Sequence, residues 1–205
     1  MSTAAPATEP MLVFDATVLH HFALADRLDV LADMMVGRRV ATTAVVLDEL
    51  SANAAREPAL TAALTLEWME VIALDTIAEL GRFAVWARRI GADRRDLGEA
   101  TVFTAAELHH GTAVTDDRSA TKAARAYGLD VHGTIWLLAN GCRSGRLTEV
   151  NAGAIIDALR ETRHRLPCTG AEFPAYARKA GLLQSTSGHI PGPTRPWPGL
   201  PARQD

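Results

Sequence analysis

Acidic residues recur at four points between positions 15 and 117: Asp15, Glu49, Glu99 and the adjacent pair Asp116 and Asp117. Carboxylates supplied by separate elements are what a divalent cation needs in a phosphodiester-cleaving site. Mg²⁺ and Mn²⁺ take hard oxygen ligands and complete their shells with water and phosphate. Each acid also has a structural use. Asp15 is suited to cap a following helix, and Glu49, beside Asp48, suits a solvated helix face. Glu99 is placed as the far half of a capping box begun by Asp96. Asp116 and Asp117 suit a strand-to-helix turn. Four such placements in one order are less expected by chance than any single one, so the set is treated together.

The elements that must position these acids follow from hydrophobic pattern. Residues 11–14 are an apolar run ending at Asp15, as suits a buried parallel strand whose carboxyl end presents a carboxylate. Residues 17–36 continue in helical pattern through Leu19, Phe22, Leu28, Leu31 and Met35, with an interruption near Asp26 and a stop at Gly37. Residues 39–43 are a second strand, a helix from Ala44 carries Glu49, and Pro58 opens a helix to Met69. Residues 70–74 are a third strand; 76–90 form a helix with Ile77, Leu80, Phe83 and Ile90 at helical spacing. After a polar turn at 91–95, a helix from Asp96 runs to Gly111, and 112–115 are a strand ending in the Asp pair. A helix at 119–127 stops at Gly128, 130–132 are a last strand, and Gly133 starts another helix. Strands alternating with helices predict an α/β fold with a central parallel sheet, helices on both faces, and ligands at the carboxyl ends of the strands. Asp15 and the Asp116–Asp117 pair fall there.

Composition narrows the class. The 205 residues are 48% hydrophobic but only 5% aromatic, so the core is expected from aliphatic side chains on helices. A net charge of −3 argues against a protein that coats nucleic acid over a broad basic face, though not against local basic patches. Cys142 and Cys168 have neither zinc-site nor disulfide-scaffold spacing. No run has the ~20 apolar residues of a membrane span, and the start has no secretory pattern, so a cytoplasmic protein without membrane association is expected. The pairs His20–His21 and His109–His110 point apart on a helix and suit packing or surface roles; no HExxH, GxSxG, P-loop or GxGxxG is present. Asp15-Ala16-Thr17 lacks the second aspartate that the haloacid dehalogenase motif requires, and a phosphoreceiver reading lacks its paired acids and late lysine. Trp68, Trp86 and Trp136 lie within helical patterns and are expected in the core or at interfaces rather than as base-stacking platforms.

The segments 13–17 (Val-Phe-Asp-Ala-Thr), 46–50 (Val-Leu-Asp-Glu-Leu), 97–100 (Leu-Gly-Glu-Ala) and 114–117 (Val-Thr-Asp-Asp) resemble, in order, the motifs of the PIN-domain family. Gly-Leu-x-Val-x-Gly-Thr at 128–134 adds to the resemblance, which covers about residues 11–140. The resemblance implies a three-layer αβα sandwich and a metal-dependent ribonuclease similar to the toxin of a VapBC-type toxin–antitoxin pair. By motif, Asp15, Glu49, Glu99 and Asp117 would be the catalytic carboxylates, with Asp116 assisting or replacing Asp117 at the Mg²⁺ or Mn²⁺. Glu99 stands where many toxin members have aspartate, which lengthens the arm and keeps the ligand type. Thr17 and Thr115 resemble the hydroxyl residues of the first and last motifs and would sit near substrate.

Arg118, Lys122 and Arg125 on the helix after the acid pair are candidates for gripping RNA, with Arg88, Arg89, Arg94 and Arg95 a weaker basic run; a solvated helix face is the alternative. The family likeness also implies a homodimer and an antitoxin that lays a helix into an apolar groove near 17–36 or 44–68. A non-catalytic scaffold of the same fold is the competing reading. The expected organisation is a disordered start at 1–10, a PIN domain at 11–147, a helical extension at 148–184 and a disordered Pro/Gly/Ser-rich tail at 185–205.

Overall fold

The apolar run ahead of Asp15 becomes β1 (Leu12–Phe14), every residue of which is buried. Burial on both faces marks an inner parallel strand. β1 pairs in parallel with β2 (Val40–Thr43) on one side and β4 (Thr112–Val114) on the other. With β3 (Glu70–Ile72) and β5 (Val131–His132) at the edges, the sheet order is β3-β2-β1-β4-β5, all parallel. This computed structural model describes residues 10–91 and 97–184. All but residue 10 of the expected disordered start at 1–10, the expected tail at 185–205, the Asp96 helix cap and the Arg94–Arg95 pair lie outside the described residues.

The chain builds outward from β1 to β2 and β3, then crosses back to β4 and β5. Right-handed crossovers taken in opposite directions from the centre place helices on both faces, giving the three-layer αβα arrangement. The strand order reverses between β1 and β4, and in such sheets that reversal opens a crevice beyond the carboxyl ends. Register fixes what borders it: Phe14 lies opposite Val114, and the Asp15 N–H donates to the Val114 carbonyl at 3.0 Å.

Several helices differ from the pattern expected. The run 17–36 does break where expected, giving α1 (Ala16–Leu24) and α2 (Leu28–Met35), because Asp26 takes a left-handed φ of 54° and ends the first. Aspartate tolerates that conformation better than most residues. α3 (Ala44–Ala54) is capped by Thr43. The expected helix at 58–69 is instead a 3-10 segment, Pro58–Thr65, whose buried residues Leu60 and Ala63 are three apart and so match a three-residue turn. In α4 (Ile77–Ile90) a capping box joins Thr76 and Glu79. Its apolar face is narrower than expected, since Ile77 is 91% exposed and Leu80 49%. Phe83, Trp86 and Ile90 carry the packing.

α5 (Leu97–Leu108) lies on the sheet against β1, β2 and β4, with Gly98 and every residue from Ala100 to Ala106 buried. Its small side chains allow that close approach. α6 (Arg118–Ala126) and α7 (Thr134–Arg143) follow β4 and β5. α8 (Glu149–Glu161) packs on α1, α7 and α9 (Phe173–Lys179), burying Ile155, Ile156 and Leu159. Among the described residues no helix is long and apolar enough to cross a membrane.

Candidate active site

Asp15 is 1% exposed at the carboxyl end of the central strand. It caps α1: Oδ2 accepts from the Thr17 N–H at 3.3 Å and from the Thr115 hydroxyl at 2.9 Å. Burial pushes its carboxyl above the usual range, and the hydrogen bonds from Thr115, Thr17 and the Ala16 backbone offset that only in part. The ionised form of a carboxylate so placed is disfavoured by its burial. Capping and chemistry, alternatives in the sequence, are compatible in this geometry.

Thr115 ties Asp15 to the neighbouring turn. Its hydroxyl donates to Asp15 and accepts from the Asp117 N–H at 3.2 Å. Asp117 caps α6 through Oδ1, which accepts from the Ala120 N–H and the Ser119 hydroxyl, both at 2.7 Å. Burial alone would raise its carboxyl, but the donors from Ala120 and Ser119 outweigh that and hold it below the usual range.

Asp116 faces the other way. Oδ1 accepts from the Thr134 N–H at 2.9 Å, and Oδ2 accepts from the Thr134 hydroxyl at 2.6 Å and meets His164 Nε2 at 2.9 Å. Burial opposes the charge, yet the His164 and Thr134 hydrogen bonds and the His164 charge together depress the carboxyl. Asp116 thereby joins the start of α7 to the segment after α8. Gly133 makes this possible, since a Cβ there would collide with Asp116 Oδ1. His164 stacks on His21 with ring centroids 4.1 Å apart. His21 is lowered to about 4 by burial and by His164 and His20, so it is neutral at pH 7. Sequence reasoning assigns His164 and Thr134 no role. Thr134 belongs to the Gly-Thr after β5, where a helix start beside an acid is the available signal; His164 has none, lying over forty residues from its partner.

Glu49 reaches the first turn of α5, which carries Glu99. Glu49 Oε1 accepts from the Gly98 N–H at 3.1 Å, where the helix dipole favours an anion. A Cβ on Gly98 would stand 2.7 Å from Glu49 Oε2, so only glycine admits this approach. Glu99, half-buried, is the next residue along. A hollow of about 220 Å³ is lined by Ala16 and Thr17 on one side and by Glu49 and Asn53 on the other, so Glu49 borders the turn that follows Asp15.

The structure thus links Asp15 with Asp117 through Thr115, and Glu49 with the first turn of α5, while Asp116 points to α7 and α8. Among the described residues no three Asp, Glu, His or Cys side chains gather closely enough to form a ready-made metal cage. Mg²⁺ usually asks a protein for only one or two carboxylates, taking its other oxygens from water and phosphate. A buried, under-compensated Asp15 with Asp117 adjoining is a donor set of that chemistry. Arg118 and Lys122 are exposed on α6 beside this turn.

A PIN-domain family model, DUF3368, matches residues 11–171. Among solved structures, PAE2754 from Pyrobaculum aerophilum is similar, with a TM-score of 0.46 and 18% identity over 67% of this chain and 99% of that one. No curated protein matches. The family match spans all four acidic motifs and well over half of the sequence, and this chain therefore belongs to the PIN-domain family.

Proposed function

We propose that this protein is a metal-dependent endoribonuclease and the toxin of a VapBC-like toxin–antitoxin pair. Membership of the PIN-domain family supports a nuclease-like activity. The observation that carries the finer reading is the Asp15 carboxylate, buried at the sheet's reversal point with its charge under-compensated. A protein gains nothing in stability from such a group, which fits a site built for a cation.

Asp15 and Asp117 would hold the Mg²⁺ or Mn²⁺, with Glu49 and Glu99 across the hollow beside Thr17 and Asp116 as a support of the turn. The bound ion would supply charge neutralisation at phosphate and a more acidic water. The chain's own part is placement. Thr115 fixes the spacing of Asp15 from the Asp117 turn, Gly98 admits Glu49 to the start of α5, and Arg118 and Lys122 offer cations for substrate phosphates. The cytoplasm, a homodimer and an antitoxin covering the pocket complete the proposal.

Incubation with unstructured RNA tests it. Cleavage is expected with Mg²⁺ or Mn²⁺, none with EDTA and none by Asp15→Asn, and expression should arrest growth in an Asp15-dependent way. Co-expression of a small neighbouring gene product should relieve the arrest. Cleavage retained by rigorously purified Asp15→Asn protein would overturn the reading.

A further inference from the structure

A groove of about 760 Å³ lies beyond the carboxyl ends of β4 and β5, walled by α6, α7 and the segment after α8. Thr115 and Asp116 are among its lining residues, so it adjoins the turn after β4. We infer that this groove is the track for single-stranded RNA, holding phosphates with Arg118, Lys122 and Arg165 and stacking bases on Trp136 and Tyr176. The inference rests on the ribonuclease reading for its choice of RNA, while the observations behind it are separate.

The first of these is charge. Four cations line the groove, Arg118, Lys122, Arg125 and Arg165, against one carboxylate, Asp116, which is already occupied by His164 and Thr134. In a chain of net charge −3 this is a local concentration of positive potential. Arg118, Lys122 and Arg165 are exposed. Arg125, also exposed, serves the groove's shape. Its Nε and Nη2 both donate to the Val131 carbonyl, at 3.1 and 2.5 Å, and so clip α6 to β5.

The second is aromatic surface. In a chain with 5% aromatic residues, the groove holds both Trp136 and Tyr176. The Trp136 indole is stacked with the His132 imidazole, centroids 4.1 Å apart and planes within 6°. Trp136 is only partly buried, so its expected role as core packing accounts for part of its surface. Tyr176 is 37% exposed. Flat π faces among cations suit splayed bases on a charged backbone. A duplex keeps its bases stacked inside and would leave those faces unused; an acidic peptide would use the cations alone. Arg165, between α8 and α9, and Tyr176, on α9, both come from beyond residue 147, so the C-terminal segment completes the substrate surface.

The test is fluorescence anisotropy on the full chain carrying Asp15→Asn, in EDTA, so that binding is read without metal or cleavage. The probe is a labelled twelve-nucleotide unstructured RNA, compared with an RNA duplex and a polyglutamate peptide. Tyr176→Ala and Trp136→Leu should each weaken single-strand binding roughly tenfold and leave duplex binding unchanged. Arg165→Gln should lower the slope of log affinity against log salt by about 0.7. Tyr176 and Arg165 are exposed, so the test survives if Trp136→Leu fails to fold. Unchanged affinity in both exposed-site variants would overturn the groove, as would displacement of RNA by polyglutamate with no effect of the aromatic changes. RNA cleavage by wild type alongside groove-insensitive binding would remove the track and leave the ribonuclease standing. Groove-dependent binding without any cleavage would do the reverse.

Discussion

Asp15 and Asp116 leave neighbouring strands of the same sheet, both with little solvent, and are treated in opposite ways. Asp116 receives the Thr134 N–H, the Thr134 hydroxyl and His164, and its carboxyl is depressed. Asp15 is met by Thr115, Thr17 and the Ala16 backbone, yet its burial outweighs them and its carboxyl is raised. Burial acts against charge in both, so the difference lies in what the chain supplies to offset it. A carboxylate met fully by the protein is a joint. One left short is a place where the fold waits for something else.

The largest effect expected from this contrast is on activity at Asp15. Asp15→Asn should reduce RNA cleavage by more than the ~10–100-fold typical of outer partners of a metal site. The same change should leave the metal-free fold as stable or more so, because it removes a buried charge. Thermal melts should show a rise on the order of a few degrees.

Asp116 should behave in reverse. Asp116→Ala removes one partner of a buried pair and strands His164 and the start of α7, at a cost of about 3–5 kcal/mol. Denaturant titration should show that loss, and any fall in cleavage should follow the loss of folded protein.

The two acids also pull stability in opposite directions with pH. Asp116 has a lowered folded-state value, so its contribution is present above the ordinary carboxylate range, about pH 4, and is lost as pH falls through the lowered value. Asp15 has a raised value, so metal-free stability declines as pH climbs from about 4 through that value. Melting curves against pH should lose the second trend in Asp15→Asn and weaken the first in Asp116→Asn.

Thr115→Val severs the bridge between Asp15 and Asp117. It should cost about 1 kcal/mol of stability and about tenfold or more in cleavage rate. The smallest expected effect is from Gly98→Ala, whose methyl group would displace the Glu49 carboxylate. That side chain can swing aside, so stability should change by less than ~1 kcal/mol while cleavage falls severalfold. An unchanged rate would show that Glu49 need not sit at the start of α5.

Much of the fold is readable because its signals are local. The continuous apolar run at β1, Asp15 at its end, and helices punctuated by Gly37 and Gly128 need only neighbours in sequence. The interruption near Asp26 is legible, whereas the 3-10 segment at Pro58–Thr65 stands where the pattern gives a longer helix, because propensity continues through it. The candidate acids are legible as residue types in order, but their division of labour is not. Asp116 and Asp117 are adjacent and identical in chemistry; only the partners separate them, Thr134 and His164 for one, Ala120 and Ser119 for the other. Those contacts depend on how α7 and α8 dock, which no motif spacing encodes.

Calorimetric titration of Mn²⁺ into metal-free wild type and Asp15→Asn protein, without RNA, tests the unequal treatment of the two acids most directly. Wild type should bind the ion and gain thermal stability from it, Asp116→Asn should still bind, and Asp15→Asn should do neither. Equal binding by the wild type and Asp15→Asn proteins would contradict the account.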